Sequence, residues 1–283
     1  MKKVTFKKKP ITLVGRNIKI NNYAPDFKVF GKDLEEASLS DFKDKIKIIH
    51  SFPSLDTQVC DLQVKEFNKR AKKLTDDVVV VSISKDLPFA QKRFCETFNI
   101  ENIKVFSDYR TSSFGINYGL LIKELNLLAR SALILDKNNV IRYIQIVDEI
   151  TDSINYDDLL KNLDQVVKKP KVLPQDIVPL VKCMACEGKA AKISKDKINE
   201  ALSELNNWQL VEDKKLIKEF KFKDFLEAKY FLDLLSIIAD EENHHPVFTL
   251  NYNKLKVSLS THAIDAISEN DLAMAKIINE IKM

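Results

Sequence analysis

Three of the chain's eight prolines, Pro170, Pro174 and Pro179, fall within one ten-residue stretch. Proline fixes its own φ, lacks a backbone donor and disfavours helix in the residue before it, so helices and sheets are interrupted here. The chain on either side is therefore expected to fold separately, and at 283 residues it exceeds what one ordinary core usually holds. The expected division is a first domain over residues 1–168, a proline-bearing linker over 169–182 and a second domain over 183–283.

The hydrophobic patterns on the two sides differ. Ile46 to Phe52 and Val78 to Ile83 are short, mainly apolar runs, each followed by a segment of helical period, one from Gln58 to Leu74 and one beginning near Pro88. That order predicts an α/β sandwich. Beyond the prolines, Ile198, Leu202 and Leu205 share a helical face, and Trp208 to Phe222 reads as a hairpin turning near Asp213. Asp224 and Glu227 have capping-box spacing at the head of a longer helix. Phe248, Leu250 and Tyr252 alternate, as do Leu255, Val257 and Leu259, with Asn253 and Lys254 as the turn between them. A final helix is expected from Ser268, with Asp271 closing a second capping box. The sum is a small α+β domain, an antiparallel sheet with helices on one face.

Charge argues against nucleic-acid binding, because 45 basic residues face 41 acidic ones dispersed along the chain. The basic start lacks the run of about seven apolar residues of a secretory signal, and no stretch approaches the roughly eighteen of a membrane span. A cytoplasmic protein is expected, with no membrane partner. In that compartment four cysteines point to catalysis, redox exchange or metal binding rather than to permanent pairing. None of the five glycines is spaced to cradle a phosphate, which disfavours nucleotide chemistry.

Cys60 follows an apolar strand and a turn at Pro53-Ser54, at the start of a helical segment. The positive end of a helix favours thiolate over thiol, although position by itself leaves an inert core cysteine equally open. Ala24-Pro25-Asp26-Phe27, the Phe52-to-Cys60 segment and Leu87 to Cys95 together resemble the bacterial thiol peroxidases of the peroxiredoxin superfamily. The likeness runs from about Met1 to Val167 and includes Leu128-Ala129-Arg130-Ser131-Ala132 and Val147-Asp148-Glu149-Ile150. It implies a thioredoxin-like fold in which Cys60 attacks the peroxide and becomes a sulfenic acid. Thr57 would hydrogen-bond peroxide and sulfur, Arg130 would stabilise thiolate and leaving oxygen, and Pro53 would help bind the substrate. Cys95 would then close an intrachain disulfide that thioredoxin, the implied electron donor, reduces.

Three of the four histidines lie between His244 and His262. With Asp240 or Glu241 they could supply the ligands of catalytic zinc, but adjacent side chains on extended backbone point apart, and metal-free acid–base work is the alternative. Asp240-x3-His244-His245-Pro246-x5-Tyr252-x9-His262-x8-Asp271 is similar to the signature of the pterin-4a-carbinolamine dehydratases, and Trp208 and Phe220 to Phe225 also fit. This resemblance covers about Cys183 to Ile281. It implies metal-free loss of water from 4a-hydroxytetrahydropterin, with His245 and His262 as the acid–base pair and His244 and Asp271 binding the pterin. Asp271 is equally readable as a helix cap.

Cys183-Met184-Ala185-Cys186 has the spacing of a redox dithiol, but no βαβ pattern surrounds it, and an inherited leader of the second domain is the favoured reading. The whole chain reads as a bifunctional enzyme without a bound cofactor, a peroxidase joined to a dehydratase of a pterin substrate. In the alternative only the peroxidase is catalytic and the second domain binds or oligomerises. Both resemblances imply a homo-oligomer.

Overall fold

The computed structural model describes residues 4–168, 176–184 and 191–283. Two compact units emerge, one of Met1–Leu180 with Lys282–Met283 and one of Val181–Ile281. Pro170 and Pro174 lie outside the described residues.

The first unit opens with β1 (Val4–Phe6) and β2 (Lys9–Ile11), a hairpin, then β3 (Leu13–Val14), β4 (Lys28–Phe30) and β5 (Glu36–Ser38). The apolar runs become β6 (Ile46–Ser51) and β7 (Val78–Ser84), followed by α1 (Gln58–Ala71) and α2 (Pro88–Phe98). β8 (Lys104–Ser107), α3 (Ser113–Asn117), β9 (Leu121–Ile122), β10 (Leu127–Leu128), β11 (Ser131–Leu135), β12 (Ile141–Ile146) and α4 (Tyr156–Lys168) complete it.

The main sheet has strand order β12-β11-β6-β7-β8-β4-β5. β6, β7 and β8 run parallel, while β11, β12, β4 and β5 join antiparallel. Every residue of β6 is buried, as expected of a central strand covered on both faces. The period-2 alternation of strands explains how: Ile49, Val81, Ile83 and Leu133 belong to one apolar cluster with Phe27 and Phe114. Ile46, Ile48, Val80 and Ala132 belong to the other, with Val64 and Phe67 of α1 and Leu159 and Leu163 of α4. Proline at the first helical position starts α2, where its missing donor costs nothing, and Asn99 at φ 52° ends it.

The second unit comprises α5 (Lys195–Glu204), β13 (Gln209–Val211), β14 (Lys215–Lys221), α6 (Phe225–Glu241), β15 (Val247–Asn251), β16 (Lys254–Leu259) and α7 (Glu269–Glu280). Its antiparallel sheet has order β13-β14-β16-β15. Leu216, Leu255, Val257 and Leu259 are buried, as are Phe231, Leu234 and Leu235 of α6 and Met274 and Ile277 of α7. The first hairpin turns at Glu212 and Asp213, both in the left-handed region. The second turns one residue earlier than its alternation suggests. Asn251 pairs with Lys254, so Tyr252 and Asn253 form the two-residue loop, and Tyr252 sits there at φ 49°, 66% exposed. An aromatic residue normally reads as strand, and only the pairing register reveals the turn.

Both helix starts named above form. Asp224 caps α6 by accepting from the Glu227 amide at 2.9 Å, while the Glu227 carboxylate reaches the Lys223 amide instead of that of Asp224. Ser268 and Asp271 make a reciprocal capping box on α7. Among the described residues no helix is long and apolar enough to cross a membrane. Replacing Asp224 by alanine removes one cap and is expected to cost the second unit about 1 kcal/mol; denaturant unfolding followed through Trp208, the single tryptophan, checks this.

Candidate active sites

Strand β6 delivers the chain through Phe52 and Pro53, both buried, into the turn before α1. Thr57 is the residue that opens this helix, with extended backbone, and Cys60 is its third residue. The sulfur is fully buried. Arg130, from the segment between β10 and β11, is only 2% exposed and directs Nη2 at Cys60 Sγ from 3.3 Å. Its Nε donates to the Ile150 carbonyl at 2.9 Å, and its Nη1 to Gln63 Oε1. Ile150 is held in turn by β1, since Thr5 donates to the Asp148 carbonyl at 2.7 Å and accepts from the Ile150 amide at 2.9 Å. The late Val147-to-Ile150 motif thus supplies a carbonyl anchor for the arginine. A buried cation beside a thiol sulfur is the environment of reactive rather than structural cysteines. The Thr57 hydroxyl donates to the Ser54 carbonyl at 3.1 Å.

Cys95 lies in the last turn of α2, partly buried against the same apolar cluster as Cys60. Both thiols are unbridged. Burial pushes the Cys95 thiol up to about 11, against a downward pull from Lys32 and with a small upward push from Glu96. Its carbonyl accepts from the Asn99 amide and from the Ile100 amide, the latter at 2.9 Å, so Cys95 is also the anchor of the helix C-cap.

Three residues of this site carry no local sequence signal. Asp86, between β7 and α2, accepts from Ser54 Oγ at 2.6 Å, the Leu55 amide at 2.8 Å and Ser84 Oγ at 2.7 Å, pinning the turn that leads to Cys60. Gln63, one helical turn beyond Cys60, bridges Arg130 to His50. His50 is fully buried on β6, stacked on Phe67 at 3.8 Å. A lone acid, a histidine inside an apolar strand and a glutamine in a mixed helix give no sign of one another until the fold brings them together. The one hint was a histidine, His50, in a strand whose every other residue is buried as well.

In the second unit the adjacent histidines part. His244 is buried and its Nε2 lies 2.8 Å from Asp271 Oδ1. The His245 side chain is 64% exposed, its Nε2 3.9 Å from Asp240 Oδ1. His262 is exposed and opens a short 3-10 turn. Asp271 is wholly buried, and its Oδ2 accepts from Thr261 Oγ1 at 2.8 Å and from the Ser268 amide at 2.8 Å. The carboxylate therefore ties together the segments carrying both exposed imidazoles, because His245 follows His244 and His262 follows Thr261. Exposed imidazoles are groups able to give and take protons. Among the described residues, no three of His, Cys, Asp and Glu converge to hold a metal ion.

Cys183 is buried with Sγ 3.6 Å from the Asn270 carbonyl, and its amide donates to Glu242 Oε2 at 2.8 Å. Cys186 lies outside the described residues. Trp208 donates from Nε1 to Asn279 Oδ1 at 3.1 Å.

Residues 19–160 match the Redoxin family, and residues 191–281 match the family described as pterin 4 alpha carbinolamine dehydratase. A thiol peroxidase of Bacillus subtilis (strain 168) is 47% identical over 168 residues, 59% of this chain and all of that protein. A thiol peroxidase of Staphylococcus saprophyticus is 45% identical over 161 residues, 57% of this chain and 97% of that protein. A crystal structure of a peroxiredoxin-like protein from Aquifex aeolicus is 41% identical, with a TM-score of 0.55, covering 59% of this chain and 98% of that one.

With its ionisation pushed from 9.0 to about 11, Cys95 carries about 100-fold less thiolate at neutral pH than an exposed cysteine. Alkylation at pH 7.5 followed by mass spectrometry is expected to modify Cys95 about 100-fold more slowly in the reduced folded chain than after denaturation.

Proposed function

Because the chain belongs to the Redoxin family as a thiol peroxidase through its thioredoxin-like first unit, and carries a pterin-4a-carbinolamine dehydratase domain as its second, we propose a bifunctional enzyme: a thioredoxin-dependent reductase of hydrogen peroxide and organic hydroperoxides that also dehydrates 4a-hydroxytetrahydropterin. The observation that carries the first activity is the 3.3 Å contact between Arg130 and Cys60 Sγ. The Cys60 thiolate attacks the outer oxygen of the hydroperoxide, the O–O bond breaks, and the other oxygen leaves as alcohol or water once it gains a proton. Arg130 neutralises charge at both the sulfur and the departing oxygen. Thr57, released from Ser54, orients the peroxide.

Cys95 then displaces hydroxide from the Cys60 sulfenic acid, forming the S–S bond, and a dithiol of the thioredoxin class reduces it back. The two Cα atoms must approach within about 7 Å, yet both cysteines sit in intact helices. Local unwinding around one or both cysteines precedes the bond, and opening the last turn of α2 would also free the Cys95 thiol from the burial that keeps it protonated.

For the second activity, one imidazole of His245 and His262 protonates the 4a-hydroxyl so that water leaves, and the other accepts the ring-nitrogen proton, giving the quinonoid dihydropterin. His244 and Asp271, both buried, position that pair by holding the segments that carry it. The engagement of both in a buried network favours a second reading, in which this unit is a binding or oligomerisation module. Two substrates in one chain also suggest a protective pairing, since reduced pterins react with oxygen and generate peroxide.

Cys60→Ser is expected to abolish peroxide reduction, and Arg130→Met to lower its second-order rate about 100-fold. Cys95→Ser should allow one turnover and then hold a trappable sulfenic acid. A Cys60→Ser variant that still turned over would sink the peroxidase assignment. In the full chain, His245→Ala and His262→Ala should each slow carbinolamine dehydration about 100-fold or more without altering peroxide reduction; dehydration no faster than buffer in the wild-type chain selects the binding-module reading.

A further inference from the structure

His50 is a fully buried histidine that the chemistry above does not use. It points from β6 toward α1, between Ser82 of β7 and Gln63, with its Nδ1 2.9 Å from Gln63 Nε2 and its Nε2 2.5 Å from Ser82 Oγ. We infer that His50 is a positioning residue for the peroxidatic pair: through the Gln63 amide it fixes the orientation of the Arg130 guanidinium against Cys60. The inference rests on reading Cys60 and Arg130 as that pair.

The direction of each bond follows from one group that has no choice. A backbone carbonyl can only accept, and the Ser51 carbonyl lies 3.3 Å from Gln63 Nε2, so the nitrogen of the amide must face it. The second N–H of that nitrogen then meets His50 Nδ1, which must accept. A neutral imidazole accepting at Nδ1 carries its proton on Nε2 and donates it to Ser82 Oγ. Gln63 Oε1 is left facing the Arg130 Nη1 donor. Turning the amide over would set oxygen against the Ser51 carbonyl and N–H against the guanidinium, two unmade bonds and two repulsions inside the core.

Ser51 and His50 are thus twin locks on Gln63, and Gln63 with the Ile150 carbonyl fixes Arg130 at two points. A guanidinium is planar, so two fixed edges determine where the third, Nη2, points. It points at Cys60 Sγ. Protonating His50 would put a donor against the Gln63 donor. Burial, and then the charge of Arg130, hold this imidazole neutral, with its ionisation lowered to about 3. Stacking on Phe67 at 3.8 Å keeps the ring in plane with its partners. The relay therefore has one arrangement throughout the physiological pH range.

The test uses the full chain carrying Cys95→Ser, so that Cys60 cannot be lost to a disulfide, and follows iodoacetamide alkylation of Cys60 by mass spectrometry from pH 5 to 10. His50→Leu keeps the bulk but removes the acceptor, and it is expected to slow alkylation at pH 6 about tenfold with little change at pH 10. His50→Asn, whose Oδ1 can accept from Gln63, should stay within about threefold of the parent. A His50→Leu profile that overlays the parent, or equal losses in both variants, overturns the relay. Should His50→Leu fail to fold, nitrogen-15 spectra of the wild-type imidazoles decide the matter: an Nε2–H tautomer that does not titrate between pH 5 and 8 supports it, and an imidazolium or Nδ1–H ring at His50 refutes it. Neither readout needs peroxide turnover, so a wild-type chain unable to reduce peroxide would overturn the proposed function and leave this inference to its own data.

Discussion

A guanidinium buried to 2% exposure dictates much of the first unit. Withdrawing a cation from water costs several kcal/mol unless its donors are matched, and Arg130 meets that demand with three different acceptors. They come from two distant parts of the chain: Cys60 and Gln63 from α1, and the Ile150 carbonyl from the segment that β1 clasps. The N-terminal strand, the first helix and the late Asp148-to-Ile150 turn are therefore coupled through one side chain. The same arrangement that satisfies the arginine leaves one of its edges against the Cys60 sulfur, so a packing requirement sets a cation beside a thiol.

The second unit solves the opposite problem with the same logic. Asp271 is an anion with no exposure at all, stabilised by His244, Thr261 and Ser268. As in the first unit, the buried charge gathers segments distant in sequence, and His245 and His262, each next in sequence to one of its partners, are left exposed. A helix cap and the tie between the two histidine-bearing segments are here the same carboxylate, because a residue at the third helical position can satisfy the helix end and still accept from a neighbouring loop.

The two cysteines of the first unit place chemistry and stability in tension. Cys60 profits from an intact helix start and a fixed arginine, whereas Cys95 is kept protonated by its burial and holds the C-cap of its own helix. Asn68 of α1 adds to that hold, accepting from the Glu101 and Asn102 amides at 3.1 and 2.9 Å just beyond α2. Both thiols are unbridged and each is held in an intact helix; under the proposed cycle the disulfide forms only after part of that structure opens.

Local chemistry made much of this legible in advance. Strands β6 and β7, helices α1 and α2, both hairpins and both helix caps follow from periodicity and cap residues that act within a few positions, and the cysteine and histidine motifs lie in contiguous stretches or at fixed gaps. Tyr252 marks where this fails, since an aromatic residue in the left-handed region is explained only by the register of β15 on β16. The Arg130–Gln63–His50–Ser82 relay was invisible for a related reason. Its members are separated by 67, 13 and 32 residues, and nothing in a β-strand or helical period says which polar side chain inside an apolar run will find a partner. Likewise, the rule that neighbouring side chains on extended backbone diverge says that His244 and His245 part, but only the buried Asp271 determines which of them turns inward, because a carboxylate without exposure must have a donor.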